Sequence, residues 1–262
     1  MDFALTEEQT MISELAQKFA REVIAPNAAE FDAKAEFPVD IVSQARELGL
    51  MNVSVPEEFG GTGGSVLDLI LVAEQLGWGC SGIGLAILLN NLAADPINVA
   101  ANEEQRKKYF GLLAESFGAY ALTEPSAGSD VSAIKTRAER KGKEWVLNGQ
   151  KIWISNASVA RFFVVFAKTA PDKGTYGITA FLVDRDVPGL SVGKPLAKMG
   201  QKASPACEVF FEDVVLGDGQ RLGKENEGFK IAMRVFDRSR PMVGAMATGL
   251  SQRALDESLR YA

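Results

Sequence analysis

A short apolar run, Tyr120-Ala121-Leu122, breaks into Thr123-Glu124-Pro125-Ser126-Ala127-Gly128-Ser129-Asp130. Hydroxyls and a carboxylate are thereby gathered around Gly128. Together with exposed backbone N–H groups, such a turn can cradle pyrophosphate or the electron-poor edge of a ring. The same residues also describe a plain Ser/Thr/Asp turn or a helix N-cap, which is their commoner use. Further on, Trp153 and Ser155 stand two apart in a β-rich run. The strand period puts both on one face, about 6–7 Å apart, with Ile152 and Ile154 facing a core. An aromatic plate beside a hydroxyl can stack on a flat ring and hydrogen-bond its edge. By itself this second pattern describes a packed tryptophan and a water-facing serine equally well.

The composition removes most other chemistry. The 262 residues contain no histidine, so Ser-His and Cys-His nucleophile schemes and the commonest metal ligand are absent. Cys80 and Cys207 are far apart and have neither metal nor disulfide spacing, which suits a reducing compartment. A net charge of -6 without a basic cluster argues against nucleic acid as a partner. The opening Met1-Asp-Phe-Ala-Leu-Thr-Glu-Glu is acidic, unlike a secretory or mitochondrial leader. The most apolar stretch, Ile83 to Leu92, ends near Asp95-Pro96 and is too short for an integral membrane segment, so a buried helix is expected. Gly60 to Gly64 follows helix rather than strand and reads as a structural loop, not a dinucleotide fingerprint.

The elements that must position these residues fall in three blocks. Residues 1–118 read as an all-α domain, with Thr6 as an N-cap, Pro26 ending or kinking the first helix, a short helix at Val39–Leu48, and further helices at Val66–Leu76, Ile83–Ala94 and Glu103–Ser116. Residues 119–224 alternate short β-rich runs with turns and read as an antiparallel, barrel-like β domain, with Asn148-Gly149 as a two-residue hairpin. From 225 the helical period returns. Phe229, Met233, Phe236, Val243, Ala247, Leu250, Ala254 and Leu259 make a stripe, Pro241 is a kink point, and Asp237 and Arg240 lie three apart as a simple ion pair. This pattern runs to Ala262 without cap or breaker, and one helix cannot bury its apolar face alone, so 225–262 reads as the first helix of an incomplete helical bundle. The fold class expected is α+β.

The segment from Ala121 to Ala133, followed in order by Trp153-Ile154-Ser155, closely resembles the acyl-CoA dehydrogenase family, most nearly its medium-chain branch, and the resemblance covers the whole chain. It implies a flavoprotein that binds FAD through the counterparts of Tyr120, Ala121, Leu122, Thr123, Gly128, Ser129, Trp153, Ile154 and Ser155. It further implies a fatty acyl-CoA substrate met by Ser129, Asp237 and Arg240, electron-transfer flavoprotein as partner, and a homotetramer in bacterial cytoplasm or mitochondrial matrix. The family's base is a glutamate, in most members beyond the helix that ends here and in some at the place of Ser239. Serine cannot take that role, so no catalytic base is expected among these residues, and the isolated chain is expected to be inactive. A flavin oxidase or monooxygenase of the same fold acting on a non-CoA substrate, or a non-catalytic fragment, are the competing readings.

Overall fold

The computed structural model describes residues 4–262; Met1 to Phe3, part of the acidic opening, lie outside the described residues. Residues 1–91, 197–204 and 237–262 gather into one compact unit, and residues 92–196 with 205–236 into another.

The first unit is helical. Helix α1 (Glu7–Phe19) starts in a capping box in which Thr6 Oγ1 accepts from the Gln9 N–H at 3.2 Å and Gln9 Oε1 from the Thr6 N–H at 3.1 Å. The break expected at Pro26 takes a milder form. A π-helical turn over Ala20–Ile24 lets the Ala25 N–H reach back to the Ala20 carbonyl, and α2 (Ala25–Lys34) carries Pro26 in its first turn, where a missing N–H costs least. Helices α3 (Val39–Glu47) and α4 (Val66–Gly79) follow, the latter capped by Ser65 with Asp68.

Helix α5 (Ser81–Ala100) runs through Pro96 instead of ending there. Ala93, Ala94, Asp95 and Ile97 are all buried, and that packing overrides the local preference. At 20 residues it is longer than the sequence suggests and passes as a membrane span by length and composition, yet 67% of its apolar window is buried inside the protein. A core helix has that character. Helix α6 (Glu103–Glu115), in the second unit, opens on an Asn102–Gln105 capping box, and α7 (Gly228–Tyr261) spans 34 residues, of which those from 237 on belong to the first unit.

Against α4, α7 approaches closely because glycines face it: a Cβ on Gly249 would lie 1.8 Å from the Glu74 carbonyl oxygen, and one on Gly77 2.3 Å from that of Met246. Beside this contact the Trp78 ring has the Arg21 and Arg253 guanidiniums each 4.4 Å from its centroid and donates its Nε1–H to Asp256 at 2.7 Å. The buried side of α7 is Ile231, Val235, Met242, Met246 and Gly249, whereas Val243, Leu250 and Leu259 of the stripe read from sequence are exposed. The helix is apolar on more than one side, and sequence periodicity picks out the outward one.

The second unit holds an eight-stranded sheet: β1 (Phe117–Ala121), β2 (Arg137–Lys141), β3 (Glu144–Ser155), β4 (Ala160–Lys168), β5 (Ile178–Asp184), β6 (Leu190–Val192), β7 (Ala206–Gly217) and β8 (Arg221–Leu222). The hydrogen-bonded path runs β6-β7-β3-β2-β4-β5-β8 without closing on itself, with β1 added to β4. Most neighbours are antiparallel, but β1–β4 and the single β2–β4 contact are parallel, so the sheet is mixed rather than antiparallel. The chain between β1 and β4 is long enough to make the return crossover that a parallel pair needs. Trp145, Leu147, Ile154, Phe163, Val165, Phe181, Cys207, Val209, Phe211 and Leu216 form the core on one face. Phe162, Val164 and Phe166 are buried on the other, which explains the continuous apolar run of β4.

The hairpin expected at Asn148-Gly149 is not there; both residues lie inside β3. The turn is Gly142-Lys143, between the paired residues Lys141 and Glu144, with Gly142 at φ 65° in the first position that a type II′ turn requires. Gly149 instead marks a register shift against β7, where a Cβ would lie 2.5 Å from Thr136 Oγ1. Asn148 exchanges two hydrogen bonds with Asp213 across that shift, at 3.0 and 2.8 Å.

Candidate cofactor site

The two segments singled out by sequence meet in the sheet unit. The Ile152 N–H donates to the Thr123 carbonyl at 3.0 Å, so Thr123 is joined to the residue before Trp153. Within the loop, Glu124 and Ala127 exchange both backbone hydrogen bonds at 3.0 and 3.1 Å, and this tightens the turn through Pro125 and Ser126. Asp130 is occupied locally: its Oδ1 accepts from the Ser132 N–H and hydroxyl, capping the helical turn Val131–Ala133. Its role is therefore the cap.

Beneath the loop is a buried ion pair that the sequence reading missed. Lys151 is fully buried and Glu124 nearly so, with Nζ 2.7 Å from Glu124 Oε1 and 3.0 Å from the Leu122 carbonyl. The Glu124 carboxylate also accepts from the Lys135 N–H at 2.5 Å and the Thr136 N–H at 3.0 Å. Burial pushes the Lys151 ammonium down to about 8 against the opposing pull of Glu124. Burial also works against the Glu124 carboxylate, but the Lys151 charge and the hydrogen bonds from Lys151, Thr136 and Lys135 outweigh it and hold the carboxyl below its ordinary range. The sequence carried little signal for the pair: with Ile152 and Ile154 read as the core face, the strand period puts Lys151 on the outer face with Trp153, where a lysine is ordinary.

The remaining residues divide by which atoms they can offer. Ala121, Leu122 and Ile154 are buried in apolar surroundings and can present backbone groups alone. Thr123 and Ser155 are half-buried, Ser126, Gly128 and Ser129 exposed, and among the described residues the four hydroxyls have no hydrogen-bond partner. Tyr120 packs its ring 5.0 Å from Phe166 and 6.0 Å from Phe236, while its buried hydroxyl has no partner. Burial raises that phenol well above its ordinary pKa, so it is a neutral donor.

Trp153 departs from the simple alternation expected. Ile152 and Trp153 stand in a register shift between the pairs Lys151–Val209 and Ile154–Cys207, and Trp153 has φ 60°. Lys151 and Ile154 are thus both buried, Ile152 is half-buried, and Trp153 is turned out, 52% exposed. A bulky residue in the left-handed region costs about 1–3 kcal/mol and persists where the surrounding structure fixes it, as it often does at ligand sites. Asp237 and Arg240, on α7 in the helical unit, are both exposed, while Ser239 between them is 6% exposed. No group of three or more His, Cys, Asp or Glu suited to a metal ion occurs among the described residues.

Unused hydroxyls, a buried phenol without a partner, and an outward tryptophan beside a pinned loop are what an aromatic, polar-edged cofactor needs. Comparison with known proteins agrees with that chemistry. Residues 6–116 match the acyl-CoA dehydrogenase N-terminal domain, residues 119–214 its middle domain and residues 226–262 its C-terminal domain. The chain belongs to the acyl-CoA dehydrogenase family. It is 46% identical over its whole length to a probable medium-chain specific acyl-CoA dehydrogenase of Caenorhabditis briggsae and spans 65% of that relative. It also superposes over its whole length, with a TM-score of 0.94 in each case, on butyryl-CoA dehydrogenase from Megasphaera elsdenii, at 36% identity, and on PigA solved with FAD and proline, at 32%; each time it covers 70% of the solved chain.

Proposed function

We propose that the protein binds FAD across the 120–129 loop and the Trp153–Ser155 bulge and, as a whole protein, oxidises a fatty acyl-CoA to the trans-2-enoyl-CoA. The observation that carries this is the outward Trp153 at φ 60°, joined through Ile152 and Thr123 to a loop whose hydroxyls are unused. When bound, FAD would take up the hydride from the β-carbon as a base removes the α-proton, and electron-transfer flavoprotein would then collect the electrons. This chain's own residues bind and orient. Trp153 offers a plate for the ring, Thr123 and Ser155 offer hydroxyls to its polar edge, Tyr120 a neutral O–H, and Ser129 with the exposed loop amides a contact for phosphate or the CoA arm. Asp237 and Arg240 on α7 would meet the substrate. Residues 1–118, 119–224 and 225–262 would be the helical domain, the β domain and the start of the C-terminal helical domain.

Two substitutions test the binding assignments. Trp153→Ala removes the plate while keeping the Cβ and so the same backbone constraint; FAD retention should fall and the visible flavin band should shift. A folded variant with parental retention and spectrum would remove Trp153 from the site. Ser129→Ala deletes one hydrogen bond to a charged group, worth about 1.5–3 kcal/mol, or about one to two orders of magnitude in affinity for FAD or acyl-CoA. Unaltered affinity for both would leave Ser129 as a turn residue.

The likeness to PigA, solved with FAD and proline, and to the prolyl acyl carrier protein oxidase AnaB favours a second reading, a flavin oxidase or monooxygenase of the same fold on a non-CoA substrate. Oxygen uptake decides between them. Rapid oxygen consumption without electron-transfer flavoprotein supports the oxidase; reduction of an artificial acceptor by acyl-CoA with slow oxygen uptake supports the dehydrogenase.

A further inference from the structure

Building on the flavin reading, we propose that Lys151 is a positioning residue: with Glu124 it locks the Leu122–Glu124 backbone so that the Thr123 N–H and hydroxyl are presented to the cofactor. Lys151 Nζ holds the Leu122 carbonyl at 3.0 Å from the buried side. In a planar trans peptide the carbonyl and the next N–H point in opposite directions, so this grip turns the Thr123 N–H away from Lys151. The following peptide is held in the same manner, with the Thr123 carbonyl bonded to the Ile152 N–H and the Glu124 N–H bonded to the Ala127 carbonyl, each at 3.0 Å. Between these fixed points the Thr123 N–H and Oγ1 are left without a partner among the described residues.

Glu124 keeps the lysine in place. Its two oxygens are taken by Lys151 and by the Lys135 and Thr136 N–H groups, so the carboxylate is bound on the β2 side of the loop and cannot follow Nζ if it moves. Lys151 itself belongs to β3, one residue before the bulge that turns Trp153 outward. One buried ammonium thus ties the loop and the bulge, the two halves of the cofactor site, to a common anchor. A hydrophobic side chain could fill the same volume but could not fix a carbonyl direction.

The test uses the double variant Lys151→Met with Glu124→Gln, which removes both charges together while the introduced amide oxygen can still accept from one of the two backbone N–H groups. Trp145→Phe, in the sheet core away from the loop, serves as the control. The double variant should fold cooperatively, bind FAD about tenfold or more weakly with a shifted visible spectrum, and exchange the Glu124 and Ile152 amide hydrogens faster than the parent. The control should leave FAD affinity, spectrum and those amides unchanged. A folded double variant with parental FAD affinity and spectrum would overturn the positioning role. If the parent itself binds no FAD, the cofactor reading fails, and unchanged amide exchange in the double variant would separately overturn the lock.

Discussion

Lys151→Met alone is expected to lower the unfolding free energy by about 3–5 kcal/mol, because it leaves the Glu124 carboxylate buried and without its counter-charge. The loss should appear as a lower denaturant midpoint at unchanged slope. Replacing both partners removes the stranded charge as well as the attraction, so the double variant should recover much of the loss; a double variant as unstable as the sum of its single changes would mean that the two residues do not act as a pair. The sign of the pH effect follows from Glu124. Its folded-state carboxyl titrates below the ordinary 4.5 of the unfolded chain. As pH falls from 4.5 through that lower value, the unfolded state binds more protons, and the stability the pair contributes near neutrality is lost. Glu124→Gln should therefore flatten the acid limb of the stability curve, while the depressed Lys151, at about 8 with Glu124 in place, keeps stability rising with pH above that value.

How far the sequence could be read depended on whether the deciding contact was local. Thr6 and Gln9 cap α1 as their spacing suggests, because both partners lie within one turn. The loop from Thr123 and the Trp153–Ser155 segment were recognisable as a pair because together, in that order, they resemble the acyl-CoA dehydrogenase family; each alone describes a plain turn or strand. Asn148-Gly149 misled for the opposite reason. Its hairpin chemistry is sound, but Gly149 is required by Thr136 and Asn148 is engaged by Asp213, neither of which is a sequence neighbour. Pro96 failed as a helix stop because burial of the residues around it outweighs the local cost. Glu124 and Lys151 were passed over since each looks ordinary alone, and a buried charge becomes visible when its partner across the sheet is known. The bulge at Trp153 likewise depends on β7, and with it the outward turn of the ring.

The same dependence on a distant partner sets the second large effect, at Gly249. A Cβ there would sit 1.8 Å from the Glu74 carbonyl oxygen and 2.8 Å from the Trp78 nitrogen, both backbone atoms that cannot rotate aside. Gly249→Val therefore forces α7 away from α4 within the helical unit, at a cost of about 3 kcal/mol from the backbone shift. The shift should also disturb the Trp78 ring, which relies on Arg253 and Asp256 one and two turns along α7 for its stacking and its hydrogen bond. Trp78 emission should move to longer wavelength as that ring gains water, and the melting temperature should fall with it. Gly244, on the exposed side of the same helix, has nothing within 4 Å of where a Cβ would stand. Gly244→Ala should accordingly stabilise by about 0.5–1 kcal/mol through helix propensity alone. If both substitutions destabilise alike, glycine matters to α7 for its backbone freedom, and the close approach to α4 is not what selects it; opposite signs at the two positions are what the packing requires.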